Sequence, residues 1–125
     1  MSKFKAQGFR NTFKNARKGM RLAVRSERNI RVHLICAIFV LLLGMLLELS
    51  VTKFCILLLT IAMVVSMEMI NSAIEFSLDA VFHNRYSKLV GMAKDISAGA
   101  VMFVTIVAIV IGCLIFVPVV IDLLI

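Results

Sequence analysis

Between Phe54 and Phe82 runs a long apolar stretch, unbroken by Pro or Gly, whose second half carries Glu68, Asn71, Glu75 and Asp79. At about 100° per residue these four fall within about 80° of one another, so one narrow stripe of a helix bears three carboxylates and an amide. Like charges on one stripe repel. Beside hydrocarbon they are tolerable only when cations, hydrogen-bond donors or protonation compensate them. The bland alternative is a set of partly neutral carboxyls bonded to neighbouring helices. Acids within membrane segments are rare, however, and usually line a bundle interior or a cavity, which favours a functional stripe.

Other charged residues fall at the same boundary. Glu27 stands at the foot of the first hydrophobic segment, and by itself it reads as an ion-pair partner of Arg25, Arg28 or Arg31. Residues 83–94 form a basic connection with Arg85, Lys88 and Lys94, and Lys94-Asp95 is expected at the start of the last helix. A helix start offers free N–H groups and a positive dipole end to an anion, and Lys94 adds a point charge. Asp95 reads equally well as the N-cap of that helix. Carboxylates able to collect a divalent cation, set beside a phosphate-attracting helix end, suggest Mg²⁺-nucleotide chemistry, since Mg²⁺ is commonly held by one or two carboxylates plus phosphate oxygens. A soluble donor would there meet a lipid acceptor. Neither the G-x-x-x-x-G-K-[ST] loop nor a kinase Gly-rich loop occurs, so nucleotide use requires another architecture.

These residues must be positioned by membrane helices. The 125-residue chain is 62% hydrophobic with a mean hydropathy of +1.03, too apolar for a soluble domain of this size. The expected class is therefore all-α and integral to the membrane. It comprises an N-terminal amphipathic surface helix and three transmembrane helices per protomer, in one domain over residues 1–125. The net charge of +7 is concentrated at one end. Ten of the 14 Lys and Arg residues lie at or before Arg31 and none follows Lys94. Such an arm suits anionic lipid headgroups or phosphates, and its membrane-embedded remainder argues against nucleic acid. Cys36, Cys55 and Cys113 sit in apolar stretches without metal-ligand spacing, implying neither metal nor disulfide. The long basic lead before the first hydrophobic run is unlike a signal peptide.

In chain order, residues 3–28 read as the surface helix, and the segment as a whole occupies 1–29. Phe9, Phe13, Ala16, Met20, Ala23 and Val24 fall on one side, with Arg10, Lys14, Arg17, Lys18, Arg21, Arg25 and Arg28 opposite. Membrane helices are expected over 30–47, 54–82 and 96–121, joined by a tight turn at 48–53 and by residues 83–94. Arg31 is expected to snorkel to the surface, and His33 to be an interfacial hydrogen-bonding residue rather than a ligand. Ser97, Ala98, Gly99 and Ala100 offer a small-residue face for close helix contact. The distribution of Lys and Arg puts the N-terminus and the acidic stripe on the cytoplasmic side and the C-terminus outside.

The pattern Glu68-x-x-Asn71-Ser72-Ala73-Ile74-Glu75-x-x-x-Asp79, followed by Ala93-Lys94-Asp95 and small residues to Val101, resembles the prokaryotic diacylglycerol kinase family of membrane lipid kinases. The likeness spans nearly the whole chain. Within the family, Glu27-Arg28-Asn29-Ile30-Arg31-Val32-His33 looks like the Gram-positive branch, whose members are similar to undecaprenol kinases. The branch that prefers diacylglycerol usually has a glutamine and a second acid where Val32 and His33 stand. Ser87 replaces a histidine common in the family.

The resemblance implies an ATP- and Mg²⁺-dependent lipid kinase of the bacterial cell membrane that phosphorylates undecaprenol, with diacylglycerol as the alternative acceptor. It implies Glu68 as general base and Glu27 and Glu75 as ligands of the Mg²⁺ bound to ATP. Asn71, Asp79, Tyr86, Lys94 and Asp95 would line the nucleotide and phosphate site. It also implies a homotrimer with sites shared between subunits. A reading from another class, a small proton- or cation-coupled transporter, would make the stripe an ion path. A through-path needs polar groups in both leaflets, and Phe54 to Met67 carries no charged residue.

Overall fold

The computed structural model describes residues 8–125, so the part of the surface helix expected over residues 3–7 lies outside the described residues. Four helices follow one another: α1 (Phe9–Ser26), α2 (Arg28–Leu46), α3 (Val51–Phe82) and α4 (Lys88–Leu124). The last three are each long and apolar enough to cross a membrane. Little of their apolar surface is covered by the chain itself. Only 6% of the most hydrophobic window of α4 is buried, so hydrocarbon or another protein surface must cover the rest.

The helix ends follow from local chemistry. α1 stops at Glu27, an extended residue with φ −112° and ψ 112°, which serves both as its C-cap and as the N-cap residue of α2. The last carbonyls of α1 lack intrahelical partners. Arg31, on the first turn of α2, donates through Nη1 to the carbonyls of Val24 at 2.9 Å and Arg25 at 2.8 Å. The side chain expected to snorkel is thus folded back onto the end of α1, where a cation also favours the helix dipole. That contact fixes the bend between the two helices.

α2 and α3 form an antiparallel pair joined by residues 47–50. Glu48 takes a left-handed conformation with φ 54°, and the Ser50 hydroxyl accepts from Lys53 N, so α3 begins at Val51 rather than at the expected Phe54. Gly44 lets the helices approach, since a Cβ there would lie 3.2 Å from both Leu49 Cδ1 and Phe54 Cε2. α3 ends where expected, with His83 and Asn84 left-handed at φ 50° and 62° and Asn84 N donating to Asp79 O.

The start of α4 corrects the expectation. It begins at Lys88, not Ile96, with the Ser87 hydroxyl accepting from Val90 N at 3.1 Å. The connection is therefore short, and Lys94 and Asp95 lie well inside the helix with their N–H groups engaged there. They form no anion-binding helix end, and Asp95 is not an N-cap. Ser87 makes the earlier start possible, and Val90, which is buried, together with Gly91 holds the extra turns in place. A Cβ at Gly91 would come within 3.2 Å of the Tyr86 ring. At 1.5 Å per residue, α3 measures about 48 Å and α4 about 55 Å, so paired turns of both extend past a hydrocarbon core of about 30 Å. α3 makes its most extensive contact with α4, then with α2.

Candidate functional site

The stripe on α3 faces its neighbours, and three of its four polar groups each meet a different partner. Glu68 is the deepest, only 5% exposed, and its Oε1 lies 3.3 Å from His33 Nε2 on α2. Ser72, one turn on, is also buried and donates to the Glu68 carbonyl. Asn71 Oδ1 accepts from Ser97 Oγ at 2.6 Å, which is the use the chain makes of the small-residue face of α4. Asp79 Oδ1 accepts from Lys94 Nζ at 2.6 Å, with the two side chains 38% and 36% exposed.

Two of the three compensating partners the stripe requires are therefore found: an imidazole at Glu68 and an ammonium at Asp79. The side chain of Glu75, half-buried between them, makes no hydrogen bond or ion pair among the described residues. Nor does the side chain of the half-buried Glu27, which was weighed as an ion-pair partner of the arginines beside it. From the His33–Glu68 contact, Glu27 lies six residues back along α2 and Glu75 seven residues on along antiparallel α3. Those steps correspond to about 9 and 10 Å of rise, so the two residues' backbone positions lie at similar levels along α2 and α3.

Among the described residues no three His, Cys, Asp or Glu side chains gather into one cluster. Each of these partner-free carboxylates nevertheless offers hard oxygen donors of the kind Mg²⁺ uses when phosphate oxygens and water complete its shell. The donor chemistry fits such an ion.

Past Glu75 the stripe opens into a cleft of about 210 Å³ between the end of α3, the connection and the first turns of α4. Asp79, Asn84, Arg85, Tyr86, Lys94 and Asp95 line it. Four of these were expected to share a site; Asn84 and Arg85 were not among them. The shift in the start of α4 explains the difference, because it moves Lys94 and Asp95 onto a helix face that looks at the connection.

On the other side of Glu68 lies an apolar groove of about 400 Å³ between α2, α3 and α4, with His33 among its lining residues. His33 was expected as an interfacial hydrogen-bonding residue. It does form a polar contact, but half-buried and with the stripe's deepest acid. The site thus runs from an apolar groove, through a buried carboxylate, to a charged cleft beyond the hydrocarbon. A lipid hydroxyl and a water-borne anion could approach one another along it.

The model of the prokaryotic diacylglycerol kinase family matches residues 14–116. The chain belongs to that family. This lipid kinase, a phosphotransferase acting on an alcohol, is 37% identical over 110 residues to the undecaprenol kinase of Bacillus subtilis, covering 88% of this chain and 89% of that one. It is 33% identical over 108 residues to a diacylglycerol kinase of Synechocystis, covering 86% of this chain and 62% of that longer protein. The resemblance to the undecaprenol kinase branch is borne out by the first of these relatives. The departure at Ser87 gains a structural meaning, since in this kinase the residue caps α4.

Proposed function

We propose that this kinase transfers the γ-phosphoryl group of ATP to the hydroxyl of undecaprenol, giving undecaprenyl phosphate. The observation that carries the reading is the single line of groups on α3, from Glu68 beside an apolar groove to Asp79 in a charged cleft. The acceptor is inferred from the 37% identical relative, which is named an undecaprenol kinase. Diacylglycerol is the second reading, favoured by the name of the relative that is 33% identical.

In this reading Glu68 is the general base. The alcohol oxygen forms a bond to the γ-phosphorus while the bond from that phosphorus to the β,γ-bridging oxygen breaks, and its electron pair leaves with ADP. The hydroxyl proton passes to Glu68. Phosphoryl transfer asks a protein mainly for positioning and charge neutralisation, which groups spaced along a rigid helix can supply. Glu27 and Glu75 would hold Mg²⁺, which would supply neutralisation of the phosphate charge. Asn71, Asp79, Tyr86, Lys94 and Asp95 would contact the nucleotide, with Lys94 held toward the cleft by Asp79.

The enzyme would work in the bacterial cell membrane with α1 on the cytoplasmic surface, its apolar side in the bilayer and its basic side toward anionic headgroups. The active site would face the cytoplasm and the C-terminus the outside. As the family resemblance implies, it would act as a homotrimer with sites shared between subunits.

The test is to incubate purified protein in lipid vesicles with Mg²⁺-ATP and either undecaprenol or diacylglycerol, then measure phosphorylated lipid. Undecaprenol should be the better acceptor, and Glu68→Gln should lower turnover by about 10²- to 10⁴-fold, the usual worth of a general base. Near-normal turnover by the variant would remove Glu68 as base. A folded wild-type sample that phosphorylates neither alcohol would overturn the reading.

A further inference from the structure

We propose that His33 is a positioning residue for Glu68, holding one carboxylate oxygen so that the other faces the acceptor hydroxyl; the inference rests on the lipid-kinase reading above. A glutamate side chain has three rotatable bonds, so burial alone does not orient its carboxylate. Its Oε1 lies 3.3 Å from His33 Nε2, and the neighbouring Ser72 hydroxyl is turned to the Glu68 backbone carbonyl instead. Among the described residues, then, His33 is the side chain that contacts the Glu68 carboxylate. A turn of the imidazole that aligns an Nε2–H with Oε1 would donate one hydrogen bond there and leave Oε2 available as proton acceptor.

The surroundings make this contact more than a surface pairing. The Glu68 carboxylate is nearly enclosed, and the His33 side chain is 25% exposed. The imidazole also lines the 400 Å³ groove, whose neighbours Val32, Ala37, Val64 and Gly112 offer no competing charged partner. Away from water a hydrogen bond is electrostatically stronger and orients its acceptor more firmly. Because His33 and Glu68 project from different helices, the contact also ties the aim of the carboxylate to the α2–α3 packing held by Gly44.

A residue that only filled space would affect folding, whereas a positioning residue should affect kcat. Misplacing a reacting group by about 1 Å can cost 10²-fold, so His33→Leu is expected to lower kcat for the lipid alcohol by about tenfold to a hundredfold with the KM for ATP unchanged. His33→Gln carries an N–H donor on a chain long enough to reach Oε1 and should recover most of that loss. His33→Asn is polar but one methylene shorter and should not. On a Glu68→Gln background, His33→Leu should cause no further loss, because residues acting as a unit are non-additive.

Thermal unfolding in detergent establishes that each variant is folded. Should His33→Leu not fold, the Gln and Asn pair carries the test. Wild-type kcat in His33→Leu or His33→Asn, equal losses in the Gln and Asn variants, or an additive loss on the Glu68→Gln background would each overturn the proposal. Wild-type protein that phosphorylates no lipid alcohol would instead overturn the proposed function, and this inference with it.

Discussion

Lys94 and Asp79 make an ionic contact between α4 and α3, 2.6 Å from Nζ to Oδ1, and both line the charged cleft. Two contributions follow from that geometry. As a tie between helices the pair is screened, because each side chain is more than a third exposed, so its coupling energy should be about 0.5–1 kcal/mol. As part of an anion site its members are unequal. Lys94→Met removes a donor to phosphate and leaves the Asp79 carboxylate uncompensated in the cleft. A charge-assisted hydrogen bond contributes about 1.5–3 kcal/mol, and with solvent exposure the lower end applies, so the KM for ATP should rise roughly tenfold. Asp79→Asn leaves the ammonium in place but less well held, and should raise KM by less. Kinetics at saturating lipid alcohol, with thermal unfolding of both single variants and the double variant, separates the contributions. Equal increases in KM for the two single variants would show that the pair only joins helices, and an unchanged KM for Lys94→Met would remove Lys94 from the nucleotide site.

Two further predictions concern packing. Ser97→Val leaves Asn71 Oδ1 without its donor at a buried helix contact, which should destabilise by about 1–3 kcal/mol and lower the unfolding midpoint in detergent. An unchanged midpoint would show that water replaces the hydroxyl. Gly44→Val places a branched side chain where even a Cβ comes within 3.2 Å of Leu49 and Phe54, an overpacking cost of about 1–3 kcal/mol, with Gly44→Ala milder in the same assay.

Much of the arrangement was legible in the sequence because the governing signals are local. The stripe from Glu68 to Asp79 follows from helical periodicity over an unbroken apolar run, and the end of α3 at Phe82 agrees with it. The start of α4 was misjudged because residues 83–94 were read by charge. Ser87, three residues ahead of Val90 N, was the better signal, since a capping hydroxyl before a run without strong breakers starts a helix. The His33–Glu68 contact was hidden for another reason: neither residue has a local pattern that names its partner. The turn over residues 47–50 contained the information. His33 lies 14 residues before Leu47 and Glu68 lies 18 after Ser50, so an antiparallel pair brings them to within about one helical turn of each other, within reach of two long side chains. Arg31 likewise looked like a side chain destined for water, because the orphan carbonyls of α1 exist only once the chain bends at Glu27.

The order of partners along α3 also bears on how a helix can carry acids into hydrocarbon. A buried carboxylate is costly without donors, and a permanent ammonium at the depth of Glu68 would itself require compensation. Imidazole avoids that second cost, because it can donate while neutral. At Asp79, more than a third exposed, a permanent charge is affordable and Lys94 supplies it. A reversal, with lysine at position 33 and histidine at position 94, would bury a permanent charge beside Glu68 and leave the cleft with less fixed positive charge for phosphate. The chemistry of the two partners therefore grades along α3, from an uncharged donor at the buried acid to a fixed positive charge at the exposed one, which is the order the proposed transfer from a soluble polyphosphate to a lipid alcohol calls for.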